Sequence, residues 1–133
     1  MSVTEAHMRF YAALNANIAG DTAWMHAIWA EEGEVTNMGP FGGVRVGREA
    51  VLAQFDAEAA MDMSGAVVPE DVRFGEADDM GFSTCIERGI GMRVGGEPVE
   101  VCHRATNIFR REAGGWRIVH HHTDRTAGLG AAG

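Results

Sequence analysis

No apolar run in this chain approaches the ~20 residues that a membrane-spanning helix needs, so no membrane partner is expected. The opening stretch, MSVTEAHMRF, has neither the basic flank nor the apolar core of an export signal, which points to a cytoplasmic protein. Cysteine is scarce. Cys85 and Cys102 sit in no CxxC or CxxH spacing, which argues against a disulfide framework and fits a reducing cytoplasm. Positive charge is short as well: 11 Lys+Arg against 19 Asp+Glu give a formal net charge of −8. That balance disfavours phosphate-driven binding to nucleic acid. The glycines of GPFGG (39–43) lack the strand-to-helix GxGxxG context, so no nucleotide fingerprint and no cofactor is assigned. No repeat or low-complexity block interrupts residues 1–126, read as a single domain, and the tail AGLGAAG (127–133) is expected to be flexible.

What is present is an ordinary globular balance, with 46% hydrophobic and 23% charged residues in a chain of 133. A helix opens at Thr4–Glu5 and carries Phe10, Leu14 and Ile18 on one side until Gly20. Asp21 then caps a second helix, with Trp24, Met25, Ile28 and Trp29 inward, ended by Gly33. After a short strand, EVTNM (34–38), a third helix is predicted from about Arg48 to Ala60. Strands follow over 66–76, 81–94, 99–111 and 116–124, with turns at Gly95–Gly96 and Gly114–Gly115. Three helices before hairpin-linked strands predict an α+β fold, the helices packed on one face of a curved antiparallel sheet.

The last two strands carry polar groups where alternation expects apolar ones. Val99, Val101, Ala105 and Phe109 share a face with His103 and Asn107, and both polar residues should point inward. An unpartnered buried polar group costs roughly 1–3 kcal/mol, so the row marks either a lined cavity or a satisfied network.

Several runs carry a family resemblance: RFYAALN (9–15) with Gly20–Asp21, WAEEGEV (29–35), VGREAV (46–51) and RATNIFRREAGGWRIVHHHTD (104–124). Together they resemble the nuclear transport factor 2-like superfamily, which includes ketosteroid isomerases, SnoaL-like cyclases and the association domain of calcium/calmodulin-dependent kinase. The resemblance implies a cone-shaped, cystatin-like fold with an interior cavity, a homodimer, and a small organic molecule as partner. It also implies that the isomerase machinery is missing. The family's base falls at Asn37, its tyrosine donor at Phe10 and its second acidic donor at Asn107. Tyr11 lies about 100° around the helix from Phe10, so it is no simple replacement. The kinase domain's cavity arginines fall at Arg88, Asn107 and near Thr123.

Each candidate has a structural reading beside its functional one. Arg88 interrupts the row Phe82, Thr84, Ile86, Ile90, Met92 and needs an acceptor, either a carboxylate such as Glu34 or Glu58, or a ligand. His103 is a satisfied core residue or a cavity group. In the last strand two patterns conflict. Alternation groups Trp116, Ile118, His120 and His122, whereas the resemblance directs Val119, His121 and Thr123 inward and leaves the tryptophan face for subunit contact. Following the resemblance, His121 is the available general acid or base and Asn107 its catalytic partner. Arg88, His103, Asn37 and Thr123, with Trp24, Trp29 and Phe55 on the helical wall, are the expected ligand-binding set. His120 and His122 have the spacing of two zinc ligands, but no further ligand follows by spacing, so no metal is assigned. The expected function is small-molecule binding, with isomerase or lyase chemistry on an unspecified substrate. The alternative is a non-catalytic association module.

Overall fold

Apolar residues recur every three or four positions from Val3 onward, and that stretch forms α1 (Val3–Ile18), burying Val3, Ala6, Phe10, Tyr11, Ala13 and Ile18. The computed structural model describes residues 2–125, so the tail expected to be flexible lies outside the described residues. Ser2 rather than Thr4 caps α1, its Oγ accepting from the Glu5 N–H at 3.2 Å. Helix α2 (Ala23–Ile28) stops well before Gly33. Trp29 turns extended there and bridges Ile118, and the Ala30 N–H donates to the Ile118 carbonyl at 3.0 Å. Helix α3 (Arg48–Ala59) buries Val51, Leu52, Phe55 and Glu58. No helix among the described residues is long and apolar enough to cross a membrane.

Among the described residues, seven strands follow the helices or sit between them. They are β1 (Thr36–Met38), β2 (Arg45–Val46), β3 (Met63–Glu76), β4 (Met80–Val94), β5 (Glu97–Pro98), β6 (Cys102–Glu112) and β7 (Gly115–Arg125). They form one sheet in the order β2-β1-β7-β6-β4-β3, with β5 on β4. The hairpins β3–β4, β4–β6 and β6–β7 are antiparallel, as their short connections require. Strand β1 joins β7 in parallel, which makes the sheet mixed. No hairpin ties these two strands, so nothing local fixes their relative direction.

Two inserted residues decide which side chains reach the interior. In β7, Ile108 pairs with His120 while Phe109 pairs with Ile118, so Val119 is extra and the alternation changes phase there. Trp116 and Ile118 therefore point inward before the bulge, and His121 and Thr123 after it. The tryptophan face is not a subunit surface. Trp116 is 1% exposed within its own chain, and the Arg111 guanidinium lies 4.9 Å above its ring. Strand β4 likewise carries one more residue than its partners between the Arg88–Cys102 and Arg93–Pro98 pairs. Gly91, at φ +59°, absorbs it. The inward row is thus Ser83, Cys85 and Glu87, not Thr84, Ile86 and Arg88, and Met92 returns inward beyond the bulge.

The core lies between α1 and the inner sheet face. Phe10, Trp29, Phe109, Trp116 and Ile118 are fully buried, and the Trp29 ring sits 5.9 Å from Phe55 and 6.5 Å from Phe10. Truncating one of these aromatic rings to alanine costs about 3–5 kcal/mol. This wall holds the site's helical side in place.

Candidate functional site

Strand register lines up polar residues in rows across the inner face. Ser83, Asn107, His121 and Asn37 are consecutive partners on β4, β6, β7 and β1. Two residues along, Cys85 faces Ala105 and Ala105 faces Thr123; beyond them Glu87 faces His103 and His103 faces Arg125.

A hydrogen-bond network links the rows to α1. Glu87 is 3% exposed, yet its carboxyl stays below the usual carboxylate range: burial alone would raise it, but His103, His121 and the Tyr11 hydroxyl together outweigh that. As a carboxylate it only accepts, so the Tyr11 hydroxyl donates to Oε2 at 2.7 Å. The Tyr11 oxygen must then accept, from Asn107 Nδ2 at 3.1 Å and from the Cys85 thiol at 3.2 Å. Asn107 Nδ2 also donates to Ser83 Oγ at 3.2 Å. With its amide nitrogen committed, Asn107 turns Oδ1 to His121 Nδ1 at 2.6 Å, and that nitrogen must carry the proton. One charge at Glu87 therefore orients every member of the network.

The consequence at His121 is chemical. Burial lowers its pKa below the ordinary histidine value, against the pull of Glu87, which favours the neutral ring. Its proton is on Nδ1, and the Nε2 lone pair lies 3.8 Å from Glu87 Oε2, beyond direct hydrogen-bond range. Two proton acceptors thus converge on one point. His103 Nδ1 lies 3.7 Å from the other Glu87 oxygen and has no hydrogen-bond partner. At the far end Ser83 Oγ meets His7 Nδ1 at 2.7 Å, and burial, partly offset by Glu87, lowers the His7 pKa to about 4.

Glu87, His103, His121 and Asn37 line a cavity of about 190 Å³, walled by apolar side chains such as Leu14, Phe55, Val67 and Met92. Asn37 is 2% exposed, and its Oδ1 has no partner. Pro40 and Phe41 of the GPFGG turn lie along the rim, as does Arg125. On the α3 wall Glu58 lines the same space. Gln54 Nε2 donates to one of its oxygens at 2.8 Å, and Arg45 Nε donates to the other end of that amide at 3.1 Å.

The expected site residues divide accordingly. His121, His103, Asn37 and Phe55 line the cavity. Asn107 stands behind them and acts through Tyr11, Ser83 and His121. Arg88 is on the outer face, paired with Glu70 at 2.5 Å instead of with Glu34 or Glu58, because the Gly91 bulge reverses the phase of β4. Trp24 is 56% exposed on the outer side of α2, about 100° around the helix from the buried Met25. Trp29 is core behind Phe55, its indole N–H donating to Met25 Sδ at 3.2 Å. Thr123 is buried next to Ala105, away from the cavity wall, with its hydroxyl unpartnered. His120 and His122 point outward with rings 6.2 Å apart, and His120 Nδ1 meets Thr36 Oγ1 at 2.6 Å.

Sequence reasoning missed Glu87, Tyr11 and Glu58. Glu87 is assigned nothing by the sequence, Glu58 appears there only as an acceptor for Arg88, and Tyr11 as the neighbour of the residue that matters. The available signal was the small, polar row Gly81, Ser83, Cys85, Glu87, which no solvent-facing strand row needs.

Among curated proteins none matches the chain. Among solved structures it is similar to a proposed dehydratase of the NTF2-like family from Streptomyces avermitilis, at 28% identity and a TM-score of 0.77, covering 93% of each chain. It is similar to a proposed calcium/calmodulin-dependent protein kinase type II association domain from Thiobacillus denitrificans, at 28% identity, 92% and 94% coverage and a TM-score of 0.69. A proposed ketosteroid isomerase from Shewanella frigidimarina shares the fold at 19% identity, 90% and 92% coverage and a TM-score of 0.70. The SnoaL-like domain model matches residues 3–123, and the chain belongs to that family.

Proposed function

We propose that this protein binds a small, largely apolar organic molecule in its cavity and moves a proton on it. The observation that carries the reading is the convergence of His121 Nε2 and Glu87 Oε2, 3.8 Å apart, at the cavity wall. A ligand O–H or an acidic C–H placed over that pair meets two acceptors, while the unpartnered amide of Asn37 is available to a ligand carbonyl. The cavity is comparable to one of about 150 Å³ that holds benzene, so a single substituted ring matches its enclosed part and a fused four-ring molecule does not. This is isomerase or lyase chemistry, with Glu87 as base, His121 sharing the proton, and Asn107 and Tyr11 positioning both.

The homodimer belongs to the same proposal. Val68, Phe82 and Ile90 are exposed on the outer sheet face and supply an apolar surface for a second copy. Light scattering at micromolar concentration tests it, and a strict monomer would remove it.

The test of the proton-transfer reading is hydrogen exchange. Cyclic and open-chain ketones are incubated with the protein in D2O, and α-deuteration is followed by NMR. Wild type should exchange at least one of them, and Glu87→Gln should slow exchange by about 100-fold or more. Equal rates with and without protein would sink the reading.

A further inference from the structure

Glu58 is a second buried carboxyl bordering the cavity, on a different wall from Glu87. It projects from α3, 6% exposed, while Glu87 projects from the sheet, and both border the same space. Its orientation is built. Arg45 donates to Gln54 Oε1, which commits Gln54 Nε2 to one Glu58 oxygen and leaves the second oxygen for a ligand. Burial raises the Glu58 carboxyl above its ordinary range, with Gln54 and Arg45 only partly opposing, whereas the Glu87 carboxyl is held below that range.

A single group suffices to take a proton from carbon and return it elsewhere on the same ligand. Two groups of opposite readiness on separate walls suit a reaction that removes a proton at one atom and delivers one at another. We infer that Glu58 is the proton donor of an elimination in this cavity, and that the ligand is a small neutral 3-hydroxy carbonyl compound. The inference rests on the reading of Glu87 and His121 as the base. Glu87 takes the proton from the carbon next to the carbonyl, and that C–H electron pair becomes the C=C bond. The C–O bond at the next carbon breaks with its electrons, and the Glu58 proton goes to the departing oxygen, giving water and an enone. Glu87 ends protonated and Glu58 ionised, and exchange with solvent restores both. Charge favours a neutral ligand, since Glu87 and Glu100 border the cavity against Arg125 at its rim.

The experiment uses the full chain in D2O with 3-hydroxycyclohexanone and 4-hydroxy-2-butanone, following α-deuteration by NMR and enone release by ultraviolet absorbance. Wild type should do both. Glu58→Gln should lower the ratio of enone release to deuteration by about 100-fold, a ratio that partial unfolding leaves unmoved. Gln54→Met, which removes the orienting N–H, should lower the same ratio by about tenfold and serves if the Glu58 variant does not fold. Deuteration without enone, or a ratio unchanged in both variants, overturns the assignment of Glu58 and leaves the proton-transfer reading standing. No deuteration of either compound overturns both.

Discussion

Tyr11 donates its hydroxyl proton to Glu87 across 2.7 Å, joining the first helix to the fourth strand inside the core. Tyr11→Phe removes that donor and leaves Asn107 and Cys85 without the oxygen they share. The expected cost is about 1–3 kcal/mol in urea unfolding. The Glu87 carboxyl should also rise in pKa, since the tyrosine is one of the groups that hold it down. Carboxyl carbon NMR reads that rise, and an unmoved titration would contradict the assigned direction of the bond.

Asn107 is the junction of the network, so its loss should be felt at three partners. Asn107→Ala should cost about 3 kcal/mol, because Tyr11, Ser83 and His121 lose a partner where water is excluded. In nitrogen NMR, wild-type His121 should carry its proton on Nδ1 alone. The variant should show both tautomers, and a single Nδ1-protonated species there would mean that something other than Asn107 sets the state.

His7 gives the fold a weakness to acid. Its pKa is about 4 when folded and near 6.5 when free, so the unfolded chain binds the proton more readily. Stability should fall as pH drops from about 6.5 to about 4, by about 2 kcal/mol at most after allowing for screening, with no His7 contribution above or further loss below that window. His121, also lowered, adds to the same decline. His7→Gln keeps a polar partner for Ser83 and should flatten part of the curve in pH-dependent melting. An unchanged slope would remove His7 from the explanation.

Gly65 sits at φ +98° opposite the Gly91 bulge, where an added Cβ would meet the Gly91 carbonyl oxygen at 2.6 Å. Gly65→Ala should lower thermal stability by about 1–3 kcal/mol. Because β3 and β4 meet here just beyond the cavity wall, the variant should also loosen ligand binding, measured by thermal shift with cyclohexanone.

The fold was legible because it rests on periodicity. Helix α1 follows from its apolar stripe, and the β6–β7 hairpin from Gly114–Gly115 between two alternating runs. The inward row His103, Asn107 of β6 could be read for the same reason, as no bulge interrupts that strand between them. Arg88 was misplaced because alternation counted from Met92 crosses an inserted residue that leaves no distinct sequence signal beyond a glycine. Trp116 was misplaced through the opposite assumption, that one strand keeps one inner face. Glu87 and Glu58 were illegible because a carboxylate earns its role here through burial and partners, which depend on three-dimensional neighbours from α1, α3 and β7.

The extra residue at Val119 makes β7 modular. Its first half anchors Trp116 and Ile118 in the packed core, and its second half presents His121 to the cavity. An unbroken strand would have to choose between them, since facing Trp116 inward would turn His121 out and bring His120 and His122 in. The insertion works as a clutch between scaffold and chemistry. The two halves answer to different neighbours: Trp116 and Ile118 to the packed core, His121 to Asn107 and the cavity. A family that keeps one architecture while varying its reactions gains from such a joint, because new chemistry can be tried on a strand whose hold on the fold is already secured upstream.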